Sequence, residues 1–297
     1  MVKLLREYFE FVRFSHTIFA LPFAFGSMLV AAHGIPEWRI VGLILAAMVC
    51  ARTAAMGFNR IADRRIDALN PRTAQRHLPA GKISVTGAWC LVIGSGTGLI
   101  VSSYFINEIC FFLSPVALVV IFFYSLTKRF TSGSHLFLGV SLSLSVMGAW
   151  LAVTGGFAWP PIALAIAVVF WVAGFDIIYA IQDIDFDRAQ GLHSLPVRMG
   201  VPAALSVAQL LHWITIGALA VFGWISHLNW SYYGGLVIIF TSLVVEHWLA
   251  ARRDKKWLDV AFFRLNALIS VLFLISVILG IYFEWPIEWL KKHGPVP

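Results

Sequence analysis

The sequence predicts an all-α, polytopic membrane protein. Of its 297 residues, 60% are hydrophobic and only 12% are charged, and the mean hydropathy is +0.83. A soluble protein of this size cannot bury so much apolar surface. The apolar residues also fall into repeated blocks of about twenty, the length that a helix needs to cross roughly 30 Å of hydrocarbon. These observations exclude a water-soluble enzyme.

Glycines, prolines and charged residues divide the chain into predicted transmembrane helices. The nine predicted spans are 14–32, 38–58, 84–103, 109–127, 135–155, 161–181, 203–224, 231–251 and 264–283. Residues 1–13 alternate charged and apolar side chains at helical spacing, which predicts an interfacial helix lying on the membrane. We expect residues 1–297 to form one integral-membrane domain.

The basic residues predict the orientation of these spans. Most of the 22 Lys and Arg residues fall at the N-terminus and in the loops that follow the even-numbered spans. By the positive-inside rule, the N-terminus and those loops are cytoplasmic. The net charge of +7 does not indicate nucleic-acid binding, because the basic residues form no continuous stripe with interleaved aromatic residues.

Two long polar loops, 59–83 and 182–202, lie on the predicted cytoplasmic side, and we expect them to carry the chemistry. In the first, Asn59, Asp63 and Asp67 recur at every fourth position. If the second helix continues past the membrane, their oxygen-bearing side chains occupy one stripe.

A second acidic pattern begins inside the sixth span. Asp176, Tyr179, Asp183 and Asp187 have a spacing that places them on one helical face, whereas Asp185 projects to the opposite side. An isolated carboxylate at membrane depth costs at least roughly 2.5–3.5 kcal/mol on insertion scales. We therefore expect the Asp176 carboxylate to have a polar or charged partner or to face a water-filled cavity.

Carboxylates at helical spacing on two helices favour Mg²⁺, which prefers oxygen ligands and leaves positions for substrate phosphates. A diphosphate bridged by the metal is the natural ligand, and basic side chains in and beside the same loops could hold its remaining oxygens. Those residues are Arg52, Arg72, Arg76, Lys128, Arg129 and Arg198. From the residues alone, an ion or proton pathway and a solvated surface remain alternatives, and any one basic residue could serve only to set orientation.

Both acidic patterns resemble the two signature motifs of the UbiA family of intramembrane aromatic prenyltransferases. The first runs from Asn59 to Arg76 and on through the Leu-Pro-Ala-Gly segment 78–81, and the second from Asp176 to Asp187 and on to Gly191, Ser194 and Arg198. The segment 124–129 after the fourth span is also similar. The variant beginning Asn-Arg looks like the 4-hydroxybenzoate polyprenyltransferase-like subgroup.

The resemblance implies a nine-helix bundle around a central cavity that is open laterally to lipid. It implies that Asn59, Asp63 and Asp67 bind one Mg²⁺ and that Asp183 and Asp187 bind a second. Arg60 stands where many family members have aspartate, so the first site would rely on three residues. Residues expected to bind substrate, beyond the ligands, are Arg52, Arg72, Arg76, Tyr124, Lys128, Arg129, Asp185 and Arg198.

The expected reaction transfers a polyprenyl group from polyprenyl diphosphate to an aromatic acceptor, with Asp176 and Tyr179 orienting the acceptor or stabilising the allylic cation. The acceptor is 4-hydroxybenzoate, or alternatively 1,4-dihydroxy-6-naphthoate or another naphthoate, in ubiquinone or menaquinone synthesis. We expect a bacterial inner membrane, a cytoplasmic active site and no obligate protein partner. A proton- or cation-coupled transporter is the alternative of another class, and a scaffold protein that has lost catalysis is disfavoured.

Overall fold

The computed structural model describes residues 11, 19–252, 254, 257–258 and 260–283, and these residues form helices and connecting turns without any strand. The helices are α1 (Leu21–Ala31), α2 (Trp38–Leu69), α3 (Val85–Ile106), α4 (Glu108–Thr127), α5 (Ser134–Thr154), α6 (Trp159–Ala180), α7 (Ile184–Ala189), α8 (Leu195–Met199), α9 (Val201–Ile225), α10 (Trp230–Ala250) and α11 (Asn266–Tyr282). A 3₁₀ turn, Ile181–Asp183, follows α6, and a π-helix, Val260–Leu265, precedes α11. The predicted all-α class is confirmed.

Eight helices among the described residues are long and apolar enough to cross a membrane. The nine-span count is not confirmed, because the predicted span 14–32 is represented by α1 of only 11 residues and residues 12–18 lie outside the described part. The predicted interfacial helix 1–13 also lies outside it, apart from Phe11. Most other boundaries agree with the predicted spans to within a few residues.

The largest boundary difference is at the end of α2, which continues well past the predicted end at residue 58 to Leu69. Nothing in this stretch breaks a helix until Pro71, and the residue before a proline is driven out of helical conformation. Asn70 accordingly has the extended angles φ −90° and ψ 118°. The first half of the predicted loop 59–83 is therefore helical, and it carries one stripe of polar side chains beyond the apolar part of α2.

The prediction that Asp176 to Asp187 lie on one continuous helix is wrong. Helix α6 ends at Ala180, and Asp183 leaves the helical region with φ −109° and ψ 8°. Aspartate competes with helical backbone hydrogen bonds, which favours such a break. The chain nevertheless resumes as α7 in a direction that returns Asp187 to the same cavity as Asp176.

The candidate span that contains α6, Trp159–Ala189, is the most buried of the eight in the described part of the chain. It packs mainly against α5 and α9. Small residues permit the close contacts: a Cβ on Gly139 of α5 would clash with the backbone oxygen of Val169 on α6. This tight packing fixes the position of the Asp176 end of α6.

We expect Gly139→Ala to lower the thermal unfolding midpoint of the protein in detergent, because its methyl group must push α5 away from the α6 backbone. The cost should be about 1–3 kcal/mol, as for overpacked cores. Gly148→Ala on the same helix is the matched control, since a Cβ there meets nothing within 4 Å. Equal midpoints for the two variants would contradict this account of the packing.

Candidate active site

A cavity of about 300 Å³ opens at the end of the bundle where α2, α4 and α6 terminate. We call it the polar cavity. The predicted site residues that line it are Arg52, Asn59, Asp63, Asp67, Arg72, Arg76, Tyr124, Lys128, Asp176, Tyr179, Asp183 and Asp187. Residues more than 100 positions apart in the sequence thus share one small volume.

Asp63 is buried and is held by the segment that follows α4. Its carboxylate accepts from Lys128 Nζ at 2.9 Å and from Arg129 Nη2 at 3.1 Å. Asn59, one turn earlier on α2, lies at 3.4 Å from the same carboxylate. The first predicted acidic stripe therefore exists, and basic side chains from another element neutralise its charge.

Asp67 is paired with Arg76 from the loop that follows α2. Arg76 Nη1 donates to both carboxylate oxygens at 2.7 and 2.8 Å. Arg60, which is 6% exposed, adds a second guanidinium at 4.0 Å. Thr73 donates its hydroxyl to the backbone oxygen of Asp67 at 3.0 Å, which folds the loop back onto the helix. The residue that departs from the common family pattern, Arg60, is thus part of the cavity's charge pairing.

Asp183 joins the second acidic group to the first loop. Arg72 donates to its carboxylate from Nε at 2.9 Å and also from Nη2, and donates from Nη1 to the Tyr179 hydroxyl at 2.7 Å. Burial lowers the pKa of Arg72, but the hydrogen bonds and charges of Asp183 and Tyr179 outweigh burial and raise it above its ordinary value. Arg72 therefore stays charged while it links the two loops.

Asp187 lies on α7, beyond the end of α6, and faces the polar cavity. Burial raises its pKa to about 6, the nearby charge of Asp183 adds to the rise, and Lys128 opposes it. A cation bound beside Asp187 would favour the charged form and lower this pKa.

Asp176 has the partner that its depth implies. His135, at the start of α5, lies with Nδ1 at 2.7 Å from the carboxylate of Asp176 and is only 3% exposed. The backbone N–H of Leu195 donates to His135 Nε2 at 3.4 Å, so we assign the ring proton to Nδ1. Sequence reasoning missed His135, because an isolated histidine without metal-ligand spacing carries no signal.

Three predicted residues do not line the polar cavity. Arg129 touches Asp63 from outside the lining. Asp185 is exposed and lies away from the cavity, as its helical offset predicts. Arg198 donates to Ser132 Oγ at 3.2 Å. The substrate-binding roles expected for Asp185 and Arg198 stay predictions without geometric support.

The predicted metal ligands form two separate acidic groups. Among the described residues, no three His, Cys, Asp or Glu side chains lie close enough together to form a metal cage. Mg²⁺ commonly uses one or two carboxylates together with waters and substrate phosphates. A set of carboxylates facing one cavity from two sides, each beside basic side chains, fits a metal–diphosphate better than a metal held by protein alone. The assignment of two ions stays a prediction.

Aromatic rings form a third part of the lining, and of these the sequence predicted Tyr179 but none of the three phenylalanines. Phe19, Phe175, Tyr179 and Phe262 all border the polar cavity. Tyr179 and Phe262 stack with ring centroids 4.0 Å apart, and Phe175 and Phe262 lie edge to face at 5.6 Å. One wall of the cavity is therefore apolar and flat, next to the Arg72–Asp183 pair.

A second, apolar cavity of about 410 Å³ adjoins the polar one, and we call it the apolar cavity. The two cavities share Arg52, Met56, Tyr124, Leu138 and Leu142 in their linings. Side chains of α2 to α5 form most of the remaining lining. The site thus combines a charged end for an anion with an adjoining space for a hydrocarbon chain.

A helical membrane bundle with these two adjoining cavities is suited to an amphipathic substrate that has an anionic head and an apolar tail. The family model of the UbiA prenyltransferase family matches residues 20–268. The chain belongs to the UbiA prenyltransferase family and is a prenyltransferase, integral to the membrane and crossing it several times.

Relatives and solved structures agree with this family. A protein of Vibrio parahaemolyticus named 4-hydroxybenzoate octaprenyltransferase is 31% identical over 246 residues, covering 81% of this chain and 84% of that protein. The apo structure of a UbiA homologue from Aeropyrum pernix K1 has a TM-score of 0.81 and 32% identity, covering 89% of this chain and 98% of that chain. A UbiA homologue from Archaeoglobus fulgidus bound to GPP and Mg²⁺ shares the fold, with a TM-score of 0.71 at 23% identity over 93% of this chain and 99% of that chain.

Proposed function

We propose that this prenyltransferase moves a polyprenyl group from polyprenyl diphosphate to a small aromatic acceptor in a Mg²⁺-dependent reaction, with 4-hydroxybenzoate as the favoured acceptor. The observation that carries the proposal is the junction of the two cavities. One end presents carboxylates and basic side chains, and the other presents apolar side chains. A substrate with a diphosphate head and an isoprenoid tail matches both ends.

The residues suited to hold Mg²⁺ are the two acidic groups of the polar cavity. They are Asn59, Asp63, Asp67, Asp183 and Asp187. When bound, Mg²⁺ would neutralise part of the negative charge that develops on the departing diphosphate. The chain's own contribution is to present hard oxygen ligands at fixed positions. Asn59, Asp63 and Asp67 lie on α2, Asp187 lies on α7, and Arg72 holds Asp183 in the 3₁₀ turn between α6 and α7.

The basic side chains around these acids are suited to the diphosphate oxygens that the metal leaves uncovered. Arg72, Arg76 and Lys128 line the cavity and already hold carboxylates. A bound diphosphate offers them stronger anionic partners, and planar guanidinium groups match phosphate oxygens well. Positive charge fixed beside the leaving group before the reaction stabilises it without reorganisation.

The proposed reaction breaks the bond between the allylic carbon and the diphosphate oxygen, and the electron pair leaves with the diphosphate. A ring carbon of the acceptor, ortho to a phenolic hydroxyl, forms the new carbon–carbon bond. Loss of the proton from that ring carbon restores aromaticity, and the carboxylate of Asp176, oriented by His135, is a candidate to receive it. The apolar surroundings limit attack by water on the allylic cation.

Two residues at the junction of the cavities, Arg52 and Tyr124, are suited to the acceptor. They border both cavities, so they lie beside the point where head and tail of a donor meet. Arg52 would pair with the carboxylate of a 4-hydroxybenzoate-like acceptor or with a donor phosphate. Tyr179, which lines the polar cavity only, would orient the acceptor ring or stabilise the cation.

The name of the Vibrio parahaemolyticus relative favours 4-hydroxybenzoate, an octaprenyl-length tail and a role in quinone synthesis for this chain as well. The alternative acceptor is 1,4-dihydroxy-6-naphthoate or another naphthoate of a menaquinone route. We also propose a bacterial inner membrane with the polar cavity at its cytoplasmic face, because the basic loops lie at that end. A transporter is disfavoured, since the acids cluster at one end of the bundle beside basic side chains.

The decisive experiment is prenyl transfer by the purified protein in lipid, with Mg²⁺ or with EDTA. A long-chain polyprenyl diphosphate is supplied with 4-hydroxybenzoate and, in parallel, with 1,4-dihydroxy-6-naphthoate, and products are identified by mass spectrometry. We expect product that depends on Mg²⁺ from one acceptor. Absence of both transfer and diphosphate binding by folded protein would contradict the proposal and favour the transporter.

Asp63→Asn and Asp183→Asn should abolish nearly all transfer while the protein stays folded. Each substitution removes a candidate metal ligand. Asp63→Asn releases Lys128 and Arg129, which are more than a third exposed and can turn to water. Asp183→Asn releases Arg72, which keeps its hydrogen bond to the Tyr179 hydroxyl. Activity and thermal midpoint should be measured together. Glu37→Gln, an exposed carboxylate at the other end of α2, is the matched control. Wild-type turnover in either aspartate variant would overturn the metal assignment.

The apolar cavity should set the donor length. Gly148 lines it, and a Cβ there meets nothing within 4 Å, so Gly148→Phe would place a ring in open cavity space. We expect this variant to keep transfer from geranyl diphosphate and to lose most transfer from the long-chain donor. Competition between the two donors measures the preference. An unchanged preference would show that the tail lies elsewhere.

A further inference from the structure

The last membrane-spanning segment begins with an irregular turn that reaches the polar cavity. Residues Val260–Leu265 form a π-helix, and Asn266 starts α11 directly after it. A π-turn is wider than an α-turn, shifts the side chains that precede it, and occurs often at functional sites. Here the shifted side chains include Phe262, which borders the polar cavity.

The buried side chain of Asn266 stabilises this turn. Its Nδ2 donates to the backbone oxygens of Ala261 and Phe262 at 3.0 and 3.1 Å, and to Glu246 Oε1 at 2.8 Å. Its Oδ1 accepts from Trp171 Nε1 at 2.8 Å. Asn266 thus ties the π-helix to α10 and to α6.

Burying these polar side chains costs free energy unless each group has a hydrogen-bond partner. Asn266 and Glu246 are both 0% exposed. Polar groups inside a membrane protein are tolerated when they satisfy each other or support irregular backbone. The contacts of Asn266 with two carbonyl groups of the π-helix meet that description, and a regular apolar helix would not need them.

The contacts of Asn266 with the π-helix determine where the Phe262 ring lies. Phe262 is partly exposed to the cavity and stacks on Tyr179 at a centroid distance of 4.0 Å and an interplanar angle of 27°. Tyr179 in turn accepts from Arg72 at 2.7 Å, and Arg72 holds Asp183. Tyr179 therefore connects Phe262 to the Arg72–Asp183 pair.

We propose that Phe262 contacts the aromatic acceptor and limits its size, and that Asn266 is a positioning residue that holds Phe262 against Tyr179. The inference rests on the proposed function, because it assigns the aromatic wall to the acceptor of that reaction. A flat wall of rings favours a flat aromatic substrate through offset or edge contacts. The stacked Phe262–Tyr179 pair sets how far a second fused ring can extend.

The first test is Phe262→Leu, which keeps an apolar side chain but makes it smaller and removes the ring. We expect the KM for a one-ring acceptor to rise about tenfold, the loss expected for one aromatic contact. We also expect the ratio of kcat/KM values to shift toward the two-ring acceptor. Binding of geranyl diphosphate with Mg²⁺ should stay unchanged. Phe112→Leu is the matched control, because Phe112 is 70% exposed and lines neither cavity.

The second test is a double-mutant cycle with Asn266→Ala. If Asn266 acts through Phe262, Asn266→Ala alone should raise the acceptor KM, and adding it to Phe262→Leu should change the KM by less than about twofold. If Asn266 has only a structural role, Asn266→Ala would instead lower the thermal midpoint and the amount of active protein, and its acceptor KM would equal that of the wild type. If Asn266→Ala does not fold, Asn266→Leu takes its place in the cycle, because leucine fills a similar volume and removes the hydrogen bonds to the π-helix. An acceptor KM equal to that of the wild type in this variant would overturn the positioning role.

The outcomes separate this inference from the proposed function. Wild-type protein that transfers to no aromatic acceptor overturns both. If the wild-type protein transfers, and Phe262→Leu changes neither the acceptor KM nor the acceptor preference, the inference is overturned and the proposed function stands. Additive KM effects in the double-mutant cycle overturn the positioning role of Asn266.

Discussion

The structure depends on the pairing of carboxylates with basic side chains at the boundary between the apolar bundle and its polar end. A carboxylate removed from water needs a partner of opposite charge or strong hydrogen-bond donors. Asp63 and Asp183 find theirs on other elements, from the segment after α4 and from the loop after α2. These pairs therefore also connect the helix ends, and the same interactions both close the bundle and define the site.

This arrangement has a chemical consequence, because the groups that neutralise the acids in the protein are those that a diphosphate needs. Arg72, Arg76 and Lys128 each hold a carboxylate through contacts of the kind that phosphate oxygens make. When a metal cation and a diphosphate enter together, cation and anion each gain a partner, and the net charge of the cavity changes little. The charged groups are thus paired before the substrate arrives, and binding exchanges these partners for the metal and the diphosphate.

Much of this site could be predicted from sequence because its ligands lie on helices with a regular repeat. Spacing of four along α2 placed Asn59, Asp63 and Asp67 on one face, and the structure keeps that face because α2 runs on to Leu69. The second acidic group was harder, since the 3₁₀ turn at Ile181–Asp183 breaks the repeat. Arg60 and His135 had no periodic signal at all, because their roles arise from contacts between elements that only the folded chain brings together.

Tyr179 could be predicted from its helical spacing, but the position of Phe262 beside it could not, for a related physical reason. In a membrane interior, backbone carbonyls that lack partners are expensive, so irregular turns occur only where something satisfies them. Asn266 does so for the π-helix, and no pattern of apolar residues reveals that a single amide will permit a wider turn. The requirement that buried polar groups have partners therefore applies both to the acids of the polar cavity and to the π-helix beside it. There it is met by an amide instead of a charge, and the result is a ring held at the edge of the polar cavity.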